Sequence, residues 1–471
     1  MTPYKPRTDH ASLGDGFFDP VHAASFPEHI LRYRNQRAAQ SVGLDTLTDA
    51  AWVEHFGKFA PLPGSFEQPL ALRYHGHQFQ SYNPDLGDGR GFLFAQLEDE
   101  RGRLLDLGTK GSGRTPWSRS ADGRLTLKGG VREVLATSML EALGVDTSKS
   151  FSLVETGEEL ERGDEPSPTR ASVLVRLSHS HVRIGTFQRL SYFKDQERLK
   201  RLLDYSLATY YPGLSPEGDN QRAAKLLGAV AESVAKTGAR WIAAGFVHGV
   251  LNTDNINITG ESFDYGPWRF LPRYDPAFTA AYFDQTGLYA FGRQPDVLAW
   301  NLTRLAECLL PLGTHDDLEA ALNRYWPAFQ QAIWAALLNR LAISSLGSEA
   351  DGDFASALFA FLYESQAPYE QFFFDWRGGR LSAERAARSP SAALYADERF
   401  ASLREMLVSR EPLSTHNLDH PYFAREKPRS MLIDEMEAIW APIAERDDWS
   451  AFHTAMDEIE QMRQAYAPAI P

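Results

Sequence analysis

Cysteine is almost absent from this chain of 471 residues, because Cys308 is the only one and no internal disulfide can form. It lies in an apolar helical stretch, which favours a buried structural thiol over a reactive one. One cysteine fits a reducing, cytoplasmic location. The chain also lacks any run of about 18 apolar residues, the length of a membrane-spanning helix, and its N-terminus has no apolar signal core. We therefore expect a cytoplasmic protein without a membrane partner.

Positive charge is scarce as well. The 48 Lys and Arg residues face 62 Asp and Glu residues, which gives a formal net charge of −14. This balance argues against a general nucleic-acid binder. Hydrophobic residues make up 43% and charged residues 23%, which is ordinary for a globular protein, and the length suggests two to four structural units.

The apolar pattern changes along the chain from strands to helices. Alternating or continuous apolar runs predict strands, and apolar residues at every third or fourth position predict helices. The predicted strands are 92–98, 104–110 and 171–178. The predicted helices are one near 45–55, 130–144, 219–245 and most of 294–345, with an exposed turn over 157–170. The pattern is mostly helical from about residue 195, so we expect an α+β protein.

One stretch contains the residue types that phosphate transfer requires. The protein-kinase catalytic loop is His-Arg-Asp-Leu-x-x-x-Asn, followed by Asp-Phe-Gly; residues 248–255 read His-Gly-Val-Leu-Asn-Thr-Asp-Asn and 264–266 read Asp-Tyr-Gly. The positions in register are His248, Leu251, Asn255 and Asp264. Val250 stands where the kinase has its catalytic Asp, so the pattern predicts a kinase-like site without the usual base. Asn and Asp clusters also cap turns, which is the alternative.

Two further features fit a phosphate ligand. The glycines of Gly87-Asp-Gly-Arg-Gly91 would let backbone N–H groups approach phosphates, although an ordinary hairpin turn has the same composition. Lys110 ends a predicted strand and Glu133 lies on the next predicted helix, as in the lysine–glutamate pair of kinases. A solvated lysine and a surface glutamate are the alternative.

Basic residues are concentrated in one part of this acidic chain. Residues 101–132 hold eight Lys and Arg against two acids, which suggests an anionic ligand such as a polyphosphate or else a solvated face. Arg176 and Arg183 flank His179 and His181; they are candidate phosphate contacts or structural ion pairs. A zinc site at the two histidines is disfavoured because no third ligand follows at a metal spacing.

These motifs together resemble the selenoprotein O family, kinase-like proteins that act as protein adenylyltransferases. The resemblance covers roughly residues 70–300 and is carried by 74–79 (Tyr-His-Gly-His-Gln-Phe), 106–116, 129–133, 248–255 and 264–267. It implies a protein-kinase-like bilobal fold. The divisions we expect are an N-terminal extension (1–70), a β-rich N-lobe (71–195), a helical C-lobe (196–346) and a C-terminal helical region (347–471).

The resemblance also implies a reaction and the residues that perform it. ATP would lie reversed relative to a kinase, and AMP would pass to a Ser, Thr or Tyr hydroxyl of a protein with release of pyrophosphate. Asp254 would accept the proton, Asn255 and Asp264 would hold Mg²⁺ or Mn²⁺, and Lys110 and Glu133 would form an ion pair. The implied nucleotide contacts are Gly87, Gly89, Arg90, Lys110, Asp122, Gly123, Glu133, Arg176, Arg183 and Asp264. We take the chain to be a monomer whose partners are proteins, not nucleic acid.

The chain departs from the family in two respects, and the sequence leaves two rival functions. Many family members carry a cysteine or selenocysteine near the C-terminus, but this chain ends Gln-Ala-Tyr-Ala-Pro-Ala-Ile-Pro, so thiol regulation of that kind is in doubt. Residues 350–471 match the family weakly. The rivals are a conventional kinase, with Asp254 replacing the missing base, and a non-catalytic nucleotide-binding scaffold.

Overall fold

A nine-stranded antiparallel sheet dominates the first part of the computed structural model, which describes residues 2–163, 165–214, 221–413 and 417–467. The strands in the described part of the chain are β1 (Pro6–Arg7), β2 (Phe18–Pro20), β3 (Ile30–Arg34), β4 (Leu70–Leu72), β5 (Gly76–Gln78), β6 (Ser81–Asn83), β7 (Leu93–Glu98), β8 (Leu104–Lys110), β9 (Leu125–Thr126), β10 (Lys149–Leu160), β11 (Thr169–Ser178), β12 (Phe246–Val247) and β13 (Arg269–Phe270). The main path of the large sheet runs β2-β4-β7-β8-β11-β10-β3, with β1 added to β7 and β9 to β11. β5 pairs with β6, and β12 pairs with β13, in two separate two-stranded sheets.

Helices make up most of the remaining chain, so the α+β class predicted from the sequence is confirmed. They are α1 (Gln36–Ser41), α2 (Asp49–Phe56), α3 (Leu127–Ala142), α4 (Ile184–Tyr192), α5 (Gln196–Tyr210), α6 (Arg222–Ala243), α7 (Gln294–Leu309), α8 (His315–Leu322), α9 (Tyr325–Leu341), α10 (Ser348–Ser365), α11 (Tyr369–Trp376), α12 (Ala383–Arg388), α13 (Ala392–Tyr395), α14 (Ala401–Val408), α15 (Ile433–Arg446) and α16 (Ser450–Tyr466). None of the helices in the described part of the chain is long and apolar enough to cross a membrane.

Residues 1–70 are more regular than their loop-like sequence indicates. Besides the predicted helix near 45–55, which is α2, they supply β1, β2 and β3 to the main sheet, and β3 pairs with β10 at its edge. Strands of two to five residues contain too little alternation to be recognised from sequence. The divisions at residues 70, 195 and 346 stay a prediction.

Helix α3 begins three residues before the predicted start because Thr126 caps it. The Thr126 hydroxyl accepts a hydrogen bond from the backbone N–H of Gly129 at 3.1 Å, which satisfies one of the free donors of the first turn. Val131, Leu135 and Met139 are fully buried on one face of the helix. This packing fixes α3 against the sheet and directs Glu133 towards β8.

One sequence expectation about the fold needs correction. The exposed turn over 157–170 is wrong at both ends, because β10 continues to Leu160 and β11 starts at Thr169, with Glu159 opposite Arg170; Asp164 lies outside the described residues. The charged residues there are on the outer end of a hairpin, where they are exposed to solvent.

The helix predicted over 219–245 is α6, and residues 219 and 220 lie outside the described residues.

Cys308 is buried on α7, as expected for a structural thiol. Its Sγ donates to the Arg304 carbonyl at 3.1 Å, and burial raises the pKa of the thiol to about 12. The thiolate, which is the reactive form, is therefore scarce at neutral pH.

Candidate active site

A polar cleft of about 440 Å³ lies where the sheet meets the stretch from Val250 to Gly266. Most of the residues singled out from the sequence line it: Gly87, Gly89, Arg90, Lys110, Arg176, Arg183, Asp254, Asn255 and Asp264. A larger cavity of about 890 Å³ lies beside α6 and α9, but it contains none of these residues. The smaller cleft is therefore the candidate site, because the chemistry-bearing side chains converge there.

Lys110 and Glu133 form a buried ion pair at the inner side of the cleft. The Lys110 Nζ lies 2.6 Å from Glu133 Oε2 and 3.3 Å from Asp264 Oδ1. Arg176 joins the same group, with its guanidinium 3.4 Å from Glu133 and 3.2 Å from Asp264. Two cations and two carboxylates thus compensate one another where an unpaired charge would be costly.

Asp264 is held in an unusual backbone conformation. Its φ is +65°, in the left-handed region that few non-glycine residues adopt. Burial alone would raise the pKa of its carboxyl, but Arg176 and Lys110 outweigh burial and hold that pKa well below its usual range. The side chain is therefore a carboxylate, the form that binds a hard cation.

Arg183 is fixed before any ligand arrives. Its guanidinium donates to Asp88 Oδ1 at 3.3 Å and lies over the Tyr74 ring at 4.2 Å from the centroid. Asp88 in turn accepts from the backbone N–H of Leu72 at 3.1 Å. Tyr74 and Asp88 lie in motifs named from the sequence, but neither was assigned a contact with Arg183, because the cation–aromatic contact joins residues more than 100 positions apart.

Asp254 is a buried carboxyl of the site. It lies on a single 3₁₀ turn, Thr253–Asn255, and its Oδ1 is buried without a hydrogen-bond partner among the described residues. Burial raises the pKa of this carboxyl to about 7, although Arg183 opposes the shift. A carboxyl with a pKa near neutrality is suited to accept a proton.

Neighbouring side chains hold the loop that contains Asp254. Asn252 Oδ1 accepts from the backbone N–H of Phe79 at 3.1 Å and from the Tyr289 hydroxyl at 2.7 Å. The Asn255 amide donates to the Val250 carbonyl at 3.1 Å, which leaves its oxygen for a ligand. The sequence analysis gave no role to Asn252, although it lies in the motif 248–255, and it missed Tyr289. Only their tertiary contacts show that they hold this loop in place.

The glycine-rich stretch is shaped by Trp117. A Cβ on Gly87 would lie 2.4 Å from the Trp117 ring, and one on Gly89 would lie 2.9 Å from the Trp117 carbonyl oxygen. The ring nitrogen of Trp117 donates to Asp19 at 2.9 Å, which fixes the indole. These glycines are therefore required by close packing, whichever ligand lies above them.

Asp122 and Gly123 lie beside the cleft instead of in it. They line a hollow of about 400 Å³ that shares Arg90 with the cleft. The Asp122 carboxylate is engaged by Arg162 at 2.8 Å and by the backbone N–H of Arg124 at 2.9 Å. Their nucleotide contact stays a prediction, and it requires a ligand that reaches past Arg90.

His179 and His181 make contacts that hold the fold together. The backbone N–H of His181 donates to Asp106 Oδ2 at 2.8 Å, and its buried ring lies 3.4 Å from the same carboxylate. His179 donates its backbone N–H to Glu261 at 2.8 Å. Within the described residues, no group of three or more His, Cys, Asp or Glu side chains is arranged to hold a metal.

We expect Gly76→Ala to reduce turnover without removing any reactive group. A Cβ at position 76 would lie 2.6 Å from Asp254 Oδ1, so the carboxylate must move. A displacement of about 1 Å can cost on the order of 10²-fold in rate, and we expect a loss of roughly 10- to 100-fold in kcat. Steady-state assays of the transfer reaction that the family resemblance implies measure it, with Gly163→Ala as control because nothing lies within 4 Å of its added Cβ. Equal kcat values for the two variants would show that the position of Asp254 is unimportant.

The fold and the cleft define an α+β protein whose polar cleft is lined by fixed cations and a buried carboxyl. The family model for "Protein adenylyltransferase SelO" matches residues 2–460, so the chain belongs to the SelO family and is an enzyme of the nucleotidyltransferase class.

Curated relatives also match over almost the whole chain, so the expectations that the resemblance covers roughly residues 70–300 and that residues 350–471 match the family weakly are wrong. The "Protein nucleotidyltransferase YdiU" of Gloeobacter violaceus is 46% identical, covering 98% of this chain and 95% of the relative. The proteins of the same name from Synechocystis sp. and Synechococcus elongatus are 45% and 44% identical; each match covers 97% of this chain, and 98% and 94% of the respective relative.

Proposed function

We propose that this protein transfers AMP from ATP to a Ser, Thr or Tyr hydroxyl of a target protein and releases pyrophosphate, on a kinase-like fold. The family and its nucleotidyl-transfer activity support the reaction class. The cleft supports the finer assignment through the residues that converge in it.

The observation that carries the proposal is the placement of the cations. Lys110, Arg176 and Arg183 are all buried at the inner side of the cleft. A triphosphate whose β- and γ-phosphates meet these cations would leave its α-phosphorus towards the open side, reversed relative to a kinase. Fixed charges in a site that excludes water stabilise developing negative charge more strongly than the same charges in water.

The donor set fits a hard divalent cation. Asn255 and Asp264 offer an amide oxygen and a carboxylate, and Mg²⁺ is usually held by one or two protein oxygens together with substrate phosphates. When bound, Mg²⁺ or Mn²⁺ would neutralise phosphate charge, and Asn255 and Asp264 would hold it.

The chain's own residues account for the proton and the leaving group. The acceptor oxygen forms a bond to the α-phosphorus while the bond from that phosphorus to the α,β-bridging oxygen breaks. The acceptor hydroxyl gives its proton to the Asp254 carboxylate. Pyrophosphate takes the electron pair, and Lys110 and Arg176 compensate its charge.

Labelled ATP tests the direction of transfer. We expect incubation of the protein and a cell lysate with α-labelled ATP to label proteins, and γ-labelled ATP to leave them unlabelled. The readout is the label retained on denatured protein, with Asp264→Ala as the blank. Label from the γ-phosphate without label from the α-phosphate would replace this function with a kinase activity, and ATP binding without either label would indicate a scaffold.

A further inference from the structure

Three aromatic side chains are exposed beside the mouth of the cleft. Tyr282 is 82% exposed, Phe283 47% and Phe79 38%. The Phe283 ring centroid lies 5.2 Å from that of Tyr282 and 5.8 Å from that of Phe79, so the three rings form one surface, the aromatic patch. Contiguous exposed apolar surface of this kind marks an interaction site.

The aromatic patch is continuous with the cleft. The Phe79 ring packs on Tyr289 with 4.8 Å between centroids. The Phe79 backbone N–H and the Tyr289 hydroxyl both donate to Asn252 Oδ1, at 3.1 and 2.7 Å. Asn252 lines the cleft and precedes Asp254 by two residues. Asn252 therefore joins the patch to the loop that carries the carboxyl that we propose as the base.

The turn that presents the patch is held in place. The buried carboxylate of Asp284 accepts from the backbone N–H groups of Leu288 and Tyr289 at 2.9 and 2.8 Å. The Asp284 backbone N–H donates to the Ala281 carbonyl at 3.1 Å. Tyr282 and Phe283 are the two central residues of this turn, between Ala281 and Asp284, so the fold itself keeps their side chains exposed. Burial of such rings by a partner would be favourable because it removes apolar surface from water.

A second exposed aromatic pair is less suited to bind a partner. Phe193 already lies under the Arg189 guanidinium at 5.0 Å, and Tyr192 is stacked on Tyr82 at 5.5 Å. Phe79, by contrast, donates its backbone N–H to Asn252, which lines the cleft. The patch at Phe79, Tyr282 and Phe283 is therefore the surface that a molecule reacting in the cleft would meet.

We propose that the aromatic patch binds the acceptor protein by taking a large apolar side chain that flanks the acceptor hydroxyl in an extended segment. This inference rests on the proposed function and adds a substrate preference to it. The patch fixes the segment through apolar contact, and the cleft supplies the reacting groups.

Synthetic peptides test the preference. The probes have a central Tyr, Ser or Thr flanked by alanines, with one flanking position changed to Leu, Phe, Lys or Glu, and α-labelled ATP is the donor. We expect wild-type protein to prefer Leu or Phe at one flanking position. The double variant Tyr282→Ser/Phe283→Ser should lose that preference and raise the peptide KM by about tenfold or more, with kcat and ATP affinity unchanged.

The control is Leu381→Ser, an exposed apolar residue outside the cleft lining, which should behave as wild type. A double variant with the wild-type KM and flanking preference would overturn the proposed docking surface. Absence of α-label on all peptides, with label on intact lysate proteins, would overturn recognition of an extended segment. Absence of α-label on lysate proteins as well would instead remove the proposed function.

Discussion

Asp264→Ala is expected to abolish measurable AMP transfer. The Asp264 carboxylate is proposed to hold the divalent cation, and stabilisation of transition-state charge by a bound metal amounts to several kcal/mol. A loss of about 4 kcal/mol corresponds to a fall of roughly 10³-fold in kcat/KM. The measurement is steady-state transfer with α-labelled ATP, repeated over a range of Mg²⁺ and Mn²⁺ concentrations.

The change also removes one carboxylate from a buried charge group, so stability needs its own control. Asp264 lies 3.3 Å from Lys110 and 3.2 Å from Arg176, which keep Glu133 as a partner. Asp351→Ala is matched, because it removes a carboxylate 2.6 Å from the buried Arg410 outside the cleft. We expect both variants to melt at lower temperature, but only Asp264→Ala to lose transfer. Retained transfer in Asp264→Ala would exclude this residue as an essential metal ligand.

Asp254→Asn is expected to slow transfer by about 10²- to 10⁴-fold, the usual contribution of a positioned general base. The substitution keeps the shape of the side chain but removes its capacity to accept the hydroxyl proton. ATP affinity should change little, since the cations that meet the phosphates remain. Single-turnover rates and nucleotide titrations separate the two effects.

Asp254 should also determine how kcat/KM depends on pH. The pKa of Asp254 is raised to about 7 by burial, and only the deprotonated carboxylate accepts a proton. Wild-type kcat/KM should therefore fall as pH drops below about 7 and level off above it, and Asp254→Asn should lack this dependence. Glu261→Gln is the matched control, a buried carboxyl whose pKa burial raises to about 8 outside the cleft. An unchanged pH profile in Asp254→Asn would assign the proton to another group.

The sequence was most informative where short motifs carry the chemistry. The Lys110–Glu133 ion pair was predicted because Lys110 ends a strand and Glu133 lies on the next predicted helix. The two side chains are 2.6 Å apart in the structure, as this prediction requires. Local periodicity also located β7, β8 and α3 to within a few residues. The sheet contributions of residues 1–70 were missed, because strands as short as Pro6–Arg7 are specified by their partners and not by their own pattern.

The supporting contacts of the site were also beyond sequence reasoning. Trp117 closes on Gly87, Tyr74 lies against Arg183, and Tyr289 binds Asn252. These pairs join residues that are distant in the chain, and no spacing rule links them. The charged turn at 157–170 was misplaced for the related reason that strand pairing overrode local composition.

By itself, the sequence determined which reactive groups this protein has and in what order they occur, because motifs and apolar periodicity are local properties of the chain. Only the tertiary structure decided that Asp254 is buried with one oxygen unpartnered among the described residues, that Lys110, Arg176 and Arg183 converge on one side of a cleft, and that Tyr282 and Phe283 stay exposed. Desolvation and charge compensation depend on what surrounds a side chain in space, and long-range packing supplies those surroundings.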